Sequence, residues 1–184
     1  EKNGIKIMRK IFIPILFLFY SIVFSQDNRG YIVDINDQAP QFQITNKDDT
    51  FSLKDHLGKV IMLQFTASWC SVCIKEMPFI ENEIWQMYKE HDAFVLLGLA
   101  KDTKQRGQKK KEIDLMINRT GVTYPIITDE DSRVFNLFAE EKAGVTRNVI
   151  IDQNGNIAFL TRLFDKEEFN EMKNVIKELL QNKH

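Results

Sequence analysis

The 184-residue chain holds only two cysteines and three histidines, and its formal net charge is −1. Two cysteines exclude the dense disulfide framework of a small secreted scaffold. They also supply only half of a tetrahedral zinc site, and His56 and His91 are too scattered along the chain to read as completing ligands. Near-neutral charge argues against a nucleic-acid partner. The most apolar stretch, Ile11 to Phe24, falls short of the ~20 residues that a membrane-spanning helix needs. Neither an internal repeat nor a second domain is visible.

That short apolar stretch has its own meaning. Lys6, Arg9 and Lys10 precede it, and Val23-Phe24-Ser25 follows with residues tolerated at a cleavage site. This three-part pattern marks residues 1–25 as a secretory signal peptide, with an uncleaved N-terminal anchor as the alternative. Met8 is the expected start, and residues 1–7 read as upstream sequence. No cysteine follows the apolar run, so no lipid anchor on an N-terminal cysteine is expected. The first 25 residues carry Lys2, Lys6, Arg9, Lys10 and Glu1, which leaves 21 basic and 25 acidic residues, a formal charge of −4, in the remainder. Beyond a lead-in at 26–35, residues 36–182 are long enough for one domain with a sizeable core.

The two cysteines stand as Trp69-Cys70-Ser71-Val72-Cys73. The run before them, Lys59 to Phe65, is a buried strand by composition, and the run from Ile74 to Glu90 is helical. Cys-x-x-Cys at a strand-to-helix junction suits thiol–disulfide exchange. The helix N-terminus offers partial positive charge and free N–H groups, which stabilise a thiolate on Cys70. Cys73, one turn on, is placed to resolve a mixed disulfide. An exported chain would ordinarily use two cysteines for a static bridge, but a two-residue spacing closes almost no loop and gains little from one. Ile74 follows Cys73, so the haem-attachment pattern is absent. Ser71 and Val72 carry no charge, so no extreme depression of the Cys70 pKa is expected, which favours a reductant.

Along the rest of the chain, a short strand is expected at Tyr31 to Ile35. A hairpin is expected from Gln41–Ile44 to Phe51, and a helical turn at Leu53–Leu57 stopped by Gly58. Val60 to Thr66 and Ala93 to Ala100 are buried strands. The helix after Cys73 places Met77, Ile80, Ile84, Met87 and Tyr88 at helical spacing, with Pro78 kinking it and Trp85 in the core. Helices follow at Glu112–Arg119, facing inward with Ile113, Met116 and Ile117, and at Ser132–Glu141. A short strand lies between them at Tyr124–Thr128. Gln153-Asn154-Gly155-Asn156 turns a hairpin between Asn148–Asp152 and Ile157–Thr161. Asp165-x-x-Glu168 resembles a capping box opening a last amphipathic helix. Strands alternating with helices give an α/β fold with a mixed sheet.

Four groups of residues in this order carry a resemblance: Ala39-Pro40-x-Phe42; Ser52-Leu53-x-Asp55-x-x-Gly58-Lys59-Val60; Ala67-Ser68-Trp69-Cys70-x-x-Cys73-x-x-Glu76-x-Pro78; and Val149-Ile-Ile-Asp152-x-x-Gly155. Together they are similar to the exported, often membrane-tethered thiol–disulfide oxidoreductases of the TlpA/ResA type, over roughly residues 36–182. The resemblance implies a thioredoxin-like three-layer α/β/α sandwich with an N-terminal β-hairpin. It implies a periplasmic or cell-envelope location, protein disulfides as substrates, a membrane-embedded thiol carrier as electron donor, and no cofactor. Cys70 would attack and Cys73 resolve. Glu76 would tune the cysteine pKa values and relay protons, and Trp69 would shield the site and contact substrate. The segment between Lys101 and Thr128 matches the insertion that sets this group apart from plain thioredoxin. Gln64 stands where thioredoxin has a buried acid, so that relay is expected to be absent.

One position departs from the family. A cis-proline normally faces the cysteines there, and alignment on Asp152 places Thr146 at it, within Gly144-Val145-Thr146-Arg147. A cis bond before a non-proline residue costs ~3 kcal/mol. Thr146 brings an N–H and a hydroxyl that proline lacks, beside Val145 in a loop whose backbone would pair with a substrate strand. Altered substrate release or mixed-disulfide lifetime is the expectation. Two rivals follow. A thiol peroxidase would resemble Pro-x-x-x-Thr-x-x-Cys, but Ala67 stands in place of that threonine. A binding module, either a peptide holdase or a metal carrier using both thiolates, is kept open by Thr146.

Overall fold

The computed structural model describes residues 29–46 and 49–181, so the signal peptide expected at 1–25 lies outside it. Strands β1 (Gln43–Asn46) and β2 (Asp49–Ser52) pair antiparallel as the expected hairpin. A 3-10 turn, Leu53–His56, follows and Gly58 ends it with φ +88°. Next come β3 (Val60–Thr66), α1 (Ser71–Ile80), a π-helical turn (Glu81–Trp85) and α2 (Gln86–Tyr88). The second half holds β4 (Phe94–Lys101), α3 (Lys110–Thr120), β5 (Ile126–Asp129) and α4 (Phe135–Phe138). It closes with β6 (Arg147–Ile151), β7 (Ile157–Arg162) and α5 (Lys166–Gln181).

The five long strands form one mixed sheet in the order β5-β4-β3-β6-β7. β3 lies at its centre, parallel to β4 and antiparallel to β6. Every residue of β3 is buried, as its apolar run requires of a strand covered on both faces. Alternation then sorts its side chains. Val60 and Met62 join Met77 and Ile80 of α1, Met116 of α3 and Phe169, Met172 and Ile176 of α5 in one core. Ile61, Leu63 and Phe65 face a second core closed by Phe51, Leu53, Phe135 and Phe138. This second layer is made of short pieces: the hairpin, the 3-10 turn and α4. Among the described residues no helix is long and apolar enough to cross a membrane.

Several expectations need correction. Tyr31–Ile35 is not a strand; Tyr31 makes a single bridge to Ala139. Tyr31 and Val33 are nonetheless buried in the second core, so the folded unit starts before residue 36. The Tyr31 hydroxyl donates to Thr161 O at 2.5 Å, which ties the lead-in to β7. The helix expected at Ser132–Glu141 shrinks to the four residues of α4, because Asp131 and Ser132 have positive φ and Ala139 is extended. Met87 is 66 % exposed, since the π turn shifts the helix phase before it. Trp85 is half-buried, with Nε1 donating to Thr123 Oγ1 at 2.9 Å. Asp165 does cap α5, accepting from Glu167 N and Glu168 N. Glu168 does not reciprocate: its carboxylate pairs with Arg29 and accepts from Arg162 N.

Candidate active site

Cys70 is the N-cap of α1, with extended backbone (φ −91°, ψ 105°), and its Sγ accepts the Cys73 N–H at 3.3 Å. A sulfur in the capping position meets the helix's unpaired donors and the positive end of its dipole. Both cysteines are free thiols, Cys70 half-buried and Cys73 buried. Thr146 reaches across from the end of β6, its Oγ1 3.1 Å from Cys70 Sγ and 3.2 Å from Cys73 Sγ.

This geometry drives the two thiols apart. The Cys73 thiol as hydrogen-bond donor holds Cys70 down, to about 6, against the opposing effect of burial. The Thr146 hydroxyl and the N–H groups of Cys73 and Val72 add to the lowering. Burial first, and then the bond to Cys70, push Cys73 well above the ordinary thiol range. The result is one accessible sulfur that ionises below neutral pH and one shielded sulfur that keeps its proton. That is the asymmetry that exchange through a mixed disulfide requires.

Glu76 makes no hydrogen bond to either sulfur. It is 2 % exposed on the inner side of α1, where Asn148 Nδ2 donates to its Oε1 at 2.7 Å. Asn148 is anchored in turn by Thr161 Oγ1 at 2.9 Å. Burial raises the Glu76 carboxyl to about 8; Asn148 and Gln64 oppose the rise, while charge on Cys70 adds to it. A carboxyl with that affinity both holds and releases a proton near neutral pH. Gln64 is the register partner of Asn148, and its Oε1 accepts the Tyr124 hydroxyl at 2.6 Å. The acid that thioredoxin carries on this strand is thus replaced by a polar brace, and the buried acid comes from α1 instead.

Trp69 forms the rim, 41 % exposed, with the Arg106 guanidinium 4.5 Å over its ring. Gln108, in the loop carrying Arg106, accepts from Ser68 N at 2.8 Å and so fastens that loop to the cysteine turn. The Val145 side chain is buried in the second core. Thr146 O accepts from Leu163 N at 2.9 Å. No cis peptide bond occurs among the described residues, so the bond before Thr146 is trans. The described residues hold no cluster of three or more His, Cys, Asp or Glu that would bind a metal.

The structure thus brings Cys70, Cys73 and Thr146 into contact, buries Glu76 of α1 against Asn148 and leaves Trp69 exposed next to Cys70. Asn148, Gln108 and Arg106 escaped sequence reasoning. The polar pair Arg147-Asn148 opening an otherwise apolar strand was the one available signal for Asn148.

Comparison with known proteins agrees with this geometry. The family model described as Redoxin matches residues 34–176. The thiol-disulfide oxidoreductase ResA of Geobacillus kaustophilus is 30 % identical over 138 residues, 74 % of each chain. A solution structure of a candidate protein disulfide isomerase from Bacteroides thetaiotaomicron is 45 % identical, covers 83 % of this chain and 94 % of its own, and superposes with a TM-score of 0.77. A candidate thiol:disulfide interchange protein DsbE from Chlorobium tepidum, at 23 % identity, shares the fold with a TM-score of 0.67 over 80 % of this chain and 99 % of its own.

Proposed function

Because the chain belongs to the Redoxin family and is a thiol–disulfide oxidoreductase of the thioredoxin fold, we propose that it works as an exported reductant of protein disulfides. Cys70 thiolate attacks the substrate disulfide and forms a mixed disulfide. Cys73 then attacks Cys70 Sγ and releases the substrate as a thiol. Glu76 accepts the proton that Cys73 gives up. Trp69 and the backbone of Val145 and Thr146 seat the substrate strand. The oxidised pair is reset by a membrane-embedded thiol donor, and no cofactor takes part. Residues 1–25 serve as the export signal or as a retained tether in the cell envelope.

One observation carries the direction of flow: the Cys70 thiol is lowered to about 6, without a charged neighbour inside the motif. That lies nearer to thioredoxin, at about 7, than to the strong oxidant DsbA, at about 3.5. The test is the reduction potential, measured by equilibrating the protein in thiol redox buffers and counting alkylated thiols by mass. A reversible two-electron transition near about −270 mV is expected; one near about −120 mV would make the protein an oxidant. A second reading, a peptide or metal carrier with slow turnover, draws on Thr146 in place of the facing proline. Copper or zinc bound stoichiometrically to the reduced protein and lost in Cys70→Ser would favour it.

A further inference from the structure

Thr146 Oγ1 lies within hydrogen-bond distance of both sulfurs at once. A hydroxyl owns one proton and two lone pairs, so it cannot donate to both. Whichever sulfur is anionic draws the donor, because a bond to an ionised acceptor is about twice as strong as a neutral one. Thr146 and Cys73 are both buried, which excludes water as a substitute donor and strengthens the bond that forms.

We propose that the Thr146 hydroxyl is a switching donor, given to the Cys70 thiolate in the dithiol state and to the Cys73 thiolate once Cys70 is held in a mixed disulfide. This deepens the exchange reading above and rests on it. In the dithiol state the hydroxyl and the Cys73 S–H both donate to the Cys70 thiolate. In the mixed disulfide the Cys70 sulfur carries two covalent bonds and no charge, so it no longer holds the donor. Cys73 then loses its proton to Glu76, as in the exchange reading above. The thiolate attacks Cys70 Sγ, a Cys70–Cys73 bond forms, and the Cys70–substrate bond breaks. The substrate sulfur leaves with the electron pair and takes up a proton. Thr146 gives up no proton overall; it turns its bond from one sulfur to the other. Cys73 needs this help, because its own peptide N–H is committed to Cys70 and the Ala67 N–H is the other donor it has. A proline at 146 has no donor to offer.

The test uses Thr146→Val, which keeps the shape and removes the hydroxyl, and Thr146→Ser, which keeps the hydroxyl; Thr146→Ala replaces the valine variant if that one does not fold. Iodoacetamide alkylation across pH reports Cys70 ionisation. Reaction with the aromatic disulfide 5,5′-dithiobis(2-nitrobenzoate) releases one thiolate on attack by Cys70 and a second on resolution by Cys73. Thr146→Val is expected to raise the alkylation midpoint by about one pH unit and to slow the second release about tenfold, as loss of a charge-assisted hydrogen bond dictates. Thr146→Ser is expected to restore both to within about twofold. The proposal is overturned if the valine variant changes neither or only one of the two readouts, or if serine fails to rescue. Failure of the exchange reading looks different: the wild-type protein itself would show no second release.

Discussion

Glu76 is a carboxyl that burial alone would leave strongly protonated, and of the two amides that oppose this, Asn148 counts for more than Gln64. Asn148 Nδ2, at 2.7 Å, favours its ionised form. Removing that donor leaves a carboxylate oxygen buried with nothing to satisfy it. Asn148→Ala is therefore expected to move the Glu76 pKa upward from about 8, by about one to two pH units, the equivalent of a hydrogen bond to a charged group. The readout is the pH profile of mixed-disulfide resolution. Its alkaline-going rise should shift upward in Asn148→Ala and vanish in Glu76→Gln. An unshifted profile in Asn148→Ala would mean that another group carries the proton. Much of this site was legible in the residues: the cysteine pair, the carboxyl one turn later and Thr146 opposite are all local or ordered features. The partner of the carboxyl was not. It depends on β3 and β6 meeting in the register that sets Gln64 beside Asn148, and a single-residue slip would turn Asn148 to the other face.

At the scale of elements, legibility follows whether an element's signal is local. β3 matches its expected bounds, because seven consecutive buried residues between a glycine turn and the cysteine motif leave no other reading. The β6–β7 hairpin was equally clear, since Gly155 supplies the positive φ (+85°) that its turn needs. The helix after Cys73 was legible only in its first half. Beyond Ile80 it passes through the π turn at Glu81–Trp85, where the Glu81 carboxylate accepts from Thr123 N and Thr123 Oγ1, both at 2.8 Å. A π turn holds more than 3.6 residues, so the apolar stripe before it no longer projects through to Met87. Two substitutions test this. Ile84→Ala, in the core beside Met62 and Ile80, should cost about 2–5 kcal/mol in guanidinium unfolding. Met87→Glu should stay within about 0.5 kcal/mol of wild type. A large loss in Met87→Glu would restore the apolar stripe running through to Met87 that periodicity suggested. α4 was overread for a related reason: Val134, Phe135 and Phe138 share a helical face, but periodicity cannot show where positive-φ residues cut a helix short.

Across the whole molecule, the site's titrations reach the stability of the fold, and with opposite signs. Glu76 is raised from 4.5 to about 8 in the folded protein. Between those values the folded chain holds a proton that the unfolded chain has released, so stability falls as pH rises, by up to about 1.4 kcal/mol per unit. Cys70 is lowered from 9.0 to about 6. Its contribution is complete above the unfolded value and is lost as pH falls through the folded one, so stability rises with pH between 6 and 9. Oxidation to the Cys70–Cys73 disulfide deletes the cysteine contribution and keeps the part of the Glu76 contribution that burial sets, its largest cause. The disulfide form should therefore lose stability steadily from about pH 5 to pH 8. The dithiol form should lose it only to about pH 6 and then level off, as the rise from Cys70 offsets the fall from Glu76. Guanidinium midpoints of both forms at pH 5, 6, 7 and 8 decide the matter, with Glu76→Gln as the control that flattens the disulfide curve. Parallel curves for the two redox forms would show that Cys70 does not ionise near pH 6, and the asymmetry on which the proposed reductant depends would be lost with it.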